Sequence, residues 1–141
     1  MKGDLATRLN SATVHLGRAL RKPSGGEDLA AEHRSALSVI VFAGPIRMSV
    51  LARAERVGAP AMTRTVAILE RSGLVRRRTD PVDERAILVE PTSTGARLVR
   101  EGRDARVRAI AGGLRRLPDA SRARLAASVG DLELLVSELG G

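Results

Sequence analysis

The sequence contains no cysteine, which excludes disulfides, Cys-ligated zinc, iron–sulfur clusters and thiol-based oxidant sensing together. Trp and Tyr are absent and Phe42 is the single aromatic residue, so any core must be assembled from Leu, Val, Ile and Ala, an alphabet that suits helices. Histidine occurs only as His15 and His33, with no Cys or second His at ligand spacing, so no metal site is expected. No carboxylate pair is placed for proton transfer, and no Gly-rich phosphate loop precedes a helix. Neither catalysis nor a cofactor is therefore expected. No apolar run approaches the ~20 residues that span a bilayer. The start of the chain interleaves Asp4, Thr7, Arg8, Asn10 and Ser11 with apolar residues, unlike a signal peptide. The expectation is a cytoplasmic protein without a membrane partner.

Arginine is what the chain has in abundance. The formal net charge is +8 and the pI about 11.5. Apart from Lys2 and Lys22 every basic side chain is Arg, whose planar fork suits phosphate and guanine better than an ammonium does. A GC-rich genome would produce the same preference, but the surplus charge still calls for an acidic partner. For a small basic domain that partner is most often nucleic acid. With 141 residues, 43% of them hydrophobic, the chain is long enough for one domain with its own core.

The organising stretch runs from Gly44 to Thr92. Its apolar pattern predicts a short helix over Met48–Arg56, a break at Gly58-Ala59-Pro60, and a second helix from Pro60. Met62, Val66, Leu69 and Ser72 fall on one side of that helix, and Gly73 ends it, since Gly accepts the left-handed conformation a C-terminal cap needs. Two strands follow, Leu74–Arg78 and Arg85–Glu90, joined by the polar turn Thr79–Glu84. Helix, turn, helix and hairpin make a winged helix-turn-helix, a unit that grips duplex DNA. The expected fold is thus mainly α with a small β-hairpin wing. Residues 28–92 would form the DNA-binding region, including a helix over Asp28–Ala43 with Leu37, Ile40 and Val41 inward.

The flanks, residues 1–22 and 93–141, read as helical dimerisation elements. Leu5, Leu9 and Leu16 recur in a narrow row near the start, before a loop at Pro23–Gly26. Thr92 is placed to cap a long helix with a thin apolar line, Leu98, Ala105, Ala109 and Gly112, among many arginines. Leu117-Pro118-Asp119 breaks the chain before a last helix with Leu125, Val129, Leu132, Val136 and Leu139 in a row. Such rows have little to bury against in one copy. A twofold homodimer solves that and would set two reading helices roughly 34 Å apart, one turn of DNA.

Within the reading unit, Pro60, Ala61, Thr63 and Arg64 occupy the exposed first turns of the second helix. Thr63 could meet phosphate or a base edge, and Arg64 could meet guanine with two hydrogen bonds. Of Arg76, Arg77 and Arg78, strand alternation lets at most two face DNA, Arg76 and Arg78 being the pair on one side. The others would pair with Glu70, Glu84 or Glu90. Arg85 at the return of the wing suits the narrow minor groove, with Asp83 holding it in place.

The run Asp80–Gly95 resembles the wing signature of the MarR family of bacterial transcription regulators. Leu51-Ala52 and the run from Leu69 through Arg77 are similar to that family as well. The resemblance covers nearly the whole chain. It implies a dimer binding pseudo-palindromic operators, usually as a repressor, often released by a small anionic or phenolic compound. It also makes Arg85 the minor-groove residue and the helix from Pro60 the recognition helix. By the same resemblance an effector pocket would lie near His15, Arg18 and Phe42. The chain departs from the family at Arg47, Ala59 and Ala61, where Ser or Thr is common. Two other readings stay open: a winged-helix protein-interaction module, and a general DNA-binding protein without effector control.

Overall fold

The computed structural model describes residues 3–21 and 29–140; the loop Pro23–Gly26, Lys22 and Asp28 lie outside them. The elements are α1 (Leu5–Leu20), α2 (Ala31–Ala43), β1 (Ile46–Arg47), α3 (Met48–Ala54), α4 (Ala59–Arg71), β2 (Val75–Thr79), β3 (Ile87–Pro91), α5 (Ser93–Arg115) and α6 (Asp119–Gly140). They divide into two compact units, Pro23–Asp104, and Met1–Lys22 together with Ala105–Gly141.

The first unit holds the core. Ala36, Leu37 and Ile40 of α2 meet Leu51 and Ala52 of α3, Met62, Val66 and Leu69 of α4, and Leu74, Val75, Val89 and Val99. Val41 is only half-buried at its edge, and Ser72 is exposed at the end of α4 rather than sharing the buried side. Helix α3 stops two residues short of the expected Arg56, because Arg56 itself turns left-handed at φ 56. The Val57 N–H then reaches back to the Ala52 carbonyl at 3.0 Å. Helix α4 starts at Ala59 with Pro60 in its first turn, and Gly73, at φ 72, terminates it as expected.

The sheet is antiparallel in the order β1-β3-β2. Strand β1 has no signal in the sequence, since its two residues are too few to show alternation. Arg85 and Ala86 are expected in the returning strand from their sequence. Both instead belong to the connection: the Ala86 N–H closes a turn onto the Asp83 carbonyl at 2.9 Å, so pairing begins only at Ile87. On α5, Gly95 and Val99 are buried and Leu98 half-buried, whereas Ala105 and Ala109 are exposed.

In the second unit, the Asp4 carboxylate accepts the Thr7 N–H at 2.8 Å and caps α1. Helix α6 starts at the expected break, and Arg122 reaches back to the Leu114 carbonyl. Neither α1 nor α6 buries a single residue. Leu5, Leu16, Leu125, Val129, Leu132, Val136 and Leu139 are all exposed, and Leu9 is half-buried. Among the described residues no helix is long and apolar enough to cross a membrane.

Candidate nucleic-acid interface

Helix α4 is held by Met62, Val66 and Leu69 in the core, which turns Pro60, Thr63 and Arg64 to solvent and leaves Ala61 half-buried. Gly58 at its N-cap offers no side-chain oxygen, so the first-turn N–H groups carry no side-chain cap. The Thr63 hydroxyl donates to the Ala59 carbonyl at 2.9 Å and keeps its acceptor capacity. Arg64 forms no ion pair among the described residues.

Alternation along β2 sorts the three arginines as expected. Arg77 lies on the side of α4 and closes on Glu70 through its Nη2 at 2.9 Å and its backbone N–H at 3.1 Å. Arg76 and Arg78 lie on the opposite face and share Glu90, at 2.7 and 3.2 Å. Each of these carboxyls is held below the usual carboxylate range, Glu70 chiefly by hydrogen bonding from Arg77 and Glu90 chiefly by Arg76.

The wing connection is anchored at its base and open at its tip. Asp80 is 4% exposed and is the one buried charged residue among those described. Its carboxylate accepts the Val82 N–H at 2.8 Å and the Arg47 Nε at 2.7 Å, while its own N–H donates to the Ala86 carbonyl at 3.0 Å. The Val82 N–H foremost, and the Arg47 guanidinium after it, hold its carboxyl below the usual range. The part played by Arg47 has no signal in the sequence, since 33 positions separate it from Asp80 and no periodicity links them. At the tip, Asp83 accepts the Arg85 N–H at 3.1 Å and lies 3.4 Å from its Nε. The Arg85 side chain is nevertheless 93% exposed. Asp83 thus shapes the turn, and Arg85 projects from it.

A second joint fixes the wing to α4. The Thr92 hydroxyl donates to the Gly73 carbonyl at 2.6 Å and accepts the Gly95 N–H at 3.1 Å, capping α5 as expected, while the Thr92 N–H reaches the Leu74 carbonyl at 3.0 Å. His15 and Arg18 are exposed on α1, and Phe42 is 71% exposed on α2. They belong to different units, His15 and Arg18 to one and Phe42 to the other.

The pattern of carboxyls predicts an acid transition. Glu70, Asp80 and Glu90 each have a lowered folded-state pKa, so each contributes stability that is present above its ordinary value near 4 and fades as the pH falls through the lower folded value. Asp80→Ala is expected to lower the thermal midpoint by about 3–8 °C at neutral pH. It should also flatten the loss seen on acidification below about pH 4. Circular dichroism melts across that range test both; a variant melting like the parent at every pH would show the anchor to be dispensable.

The MarR family model matches residues 33–87, from α2 through the wing connection. Over 102 residues the chain is 38% identical to an HTH-type transcriptional regulator of Mycobacterium leprae, which spans 72% of this chain and 71% of that protein. The chain belongs to the MarR family. With membership comes its class, a winged-helix transcription regulator, and the solved structures agree on the fold. The Multiple Antibiotic Resistance Repressor MarR superposes with a TM-score of 0.73 at 23% identity, over 99% of this chain and 96% of that one. FabT of Streptococcus pneumoniae, solved in complex with DNA, gives 0.69 at 16% identity over 96% and 94%.

Proposed function

We propose that this MarR-family chain is a repressor that binds a pseudo-palindromic operator as a homodimer. The observation that carries DNA reading is the arrangement of the first unit. Arg85 stands 93% exposed on a wing whose base is clamped by Asp80 and Arg47. Exposed Thr63 and Arg64 stand on a helix clamped by the core. Rigid support under a projecting cation is what a groove contact requires. Pro60 and Ala61 would border the same groove, Ala61 touching a thymine methyl. The DNA complex of FabT and the name of the repressor MarR support the sign and the partner of this reading.

Homodimerisation is supported by the second unit. Two helices of 16 and 22 residues that bury nothing, with Leu5, Leu9 and Leu16 on one and the Leu125–Leu139 row on the other, need a covering surface. A second copy supplies one. Release by a small anionic or phenolic effector belongs to the same reading. Its support is that the sole aromatic ring is exposed instead of buried. A simple aromatic carboxylate that failed to dissociate the protein–DNA complex would remove this part.

The deciding experiment compares binding to DNA upstream of the protein's own coding sequence with binding to scrambled DNA. A preference of about a thousandfold or more is expected at near-physiological salt; equal weak binding to both would leave a general DNA-binding protein, and none would leave a protein-interaction module. Arg85→Ala should weaken operator binding by roughly tenfold or more without moving the melting midpoint. Arg64→Ala should reduce the preference for operator over random DNA, whereas an equal loss on both would make Arg64 a phosphate contact.

A further inference from the structure

We propose that Glu90 is a specificity-determining residue of this surface: held between Arg76 and Arg78, it withholds one positive charge from the wing strand and so limits binding to duplexes of any sequence. The inference rests on the DNA-reading function proposed above.

The register of the sheet makes the grouping. Glu90 on β3 stands directly across from Arg76 on β2, and Arg78 is across from the neighbouring Leu88 but two further along on the same face. One carboxylate oxygen takes the Arg76 Nε at 2.7 Å and the other the Arg78 Nε at 3.2 Å. The carboxylate is only 18% exposed, while the arginines flanking it are 67% and 45% exposed. Both bonds use Nε, which leaves four N–H donors on each guanidinium. Two cations around one anion present a net single charge to a phosphate arriving from solution.

The other carboxylate paired with an arginine of β2 has a mechanical task that Glu90 lacks. Glu70 joins Arg77 to α4, so it ties the wing to the reading helix. Glu90 joins β3 to β2, which the backbone ladder from Val75↔Pro91 to Thr79↔Ile87 already joins. Exposed ion pairs add little to stability. They do change charge, and charge sets the sequence-independent part of duplex binding through counterion release. A reader is judged by the ratio of operator to random affinity. A carboxylate on this strand lowers random binding and leaves the exposed tip Arg85 and the helix residue Arg64 to discriminate.

The test uses the full chain and a random-sequence duplex, with binding followed by fluorescence anisotropy over a range of salt. Glu90→Gln is expected to raise random-duplex affinity by about three- to tenfold near 0.15 M salt and to steepen the log–log salt slope by about 0.9, one added phosphate. Adding Arg76→Gln to it should return the slope to that of the parent. Glu32→Gln, which removes the same charge from the first turn of α2, should leave the slope unchanged. A Glu90→Gln protein with unchanged slope and affinity, or with weaker random binding, overturns the proposal. So does an equal gain in slope from Glu32→Gln, which would make net charge alone the cause. A parent protein showing no salt-dependent duplex binding takes down the DNA-reading function itself, so the two failures are distinct.

Discussion

Gly95→Ala is expected to destabilise the protein by about 3 kcal/mol or more. Gly95 is buried in the first turns of α5. A Cβ built there runs into the carbonyl oxygen, carbonyl carbon and Cα of Leu74, all backbone atoms that cannot swing aside. The same Leu74 carbonyl receives the Thr92 N–H, so a retreat would open the joint between α4, β3 and α5. Denaturant unfolding measures the loss. Gly130→Ala is the control: nothing lies within 4 Å of its Cβ position on exposed α6, and removing a helical glycine there should be neutral or stabilise by up to about 1 kcal/mol. If Gly95→Ala unfolded within about 0.5 kcal/mol of the parent, a range typical of harmless surface changes, the close approach would carry no weight.

Leu132→Glu should convert the proposed dimer into monomers and lower operator affinity by roughly a hundredfold to ten-thousandfold, the gain that linking two binding modules supplies. Leu132 sits in the middle of the row running from Leu125 to Leu139, where α6 buries nothing within its own chain. In a dimer this row would be covered, and a carboxylate placed there would lose its water without gaining a partner. In a monomer the same substitution falls on an exposed helix face and should be nearly silent. Sedimentation at micromolar protein and operator titration read the two consequences separately. A variant that sedimented and bound like the parent would assign the row to some other covering surface.

The parts of the structure that could be read from the sequence are those encoded by local chemistry. Pro60, Gly73 and the spacing of Met62, Val66 and Leu69 define α4 within a single stretch, and Thr92 announces the start of α5 by its own hydroxyl. The sorting of Arg76 and Arg78 from Arg77 followed from strand alternation alone. What escaped depends on contacts distant in sequence or on very short elements. Arg47 looked like a departure from a Ser or Thr cap, and only the fold brings it to Asp80. Two-residue β1 shows no period, and the fit of Gly95 under Leu74 needs the folded corner to exist. Composition suggests a strand at Arg85 because the bond from Ala86 to Asp83 that ends the turn leaves no mark in the sequence.

The division of labour within the wing connection has a consequence for how such a protein can change its target. At the base the supporting bonds converge on Asp80, with Arg47 and the backbone of Val82 and Ala86 as its partners, while Asp83 closes the turn onto the Ala86 and Arg85 N–H groups. Pro81, Val82, Glu84 and Arg85 are exposed and their side chains hold nothing up, apart from the loose approach of Arg85 to Asp83. The tip is therefore an interchangeable bit in a fixed chuck. Under the DNA-reading function proposed above, its side chains could be exchanged to read different DNA while the frame keeps its stability, so new operator preferences could arise without passing through unfolded intermediates.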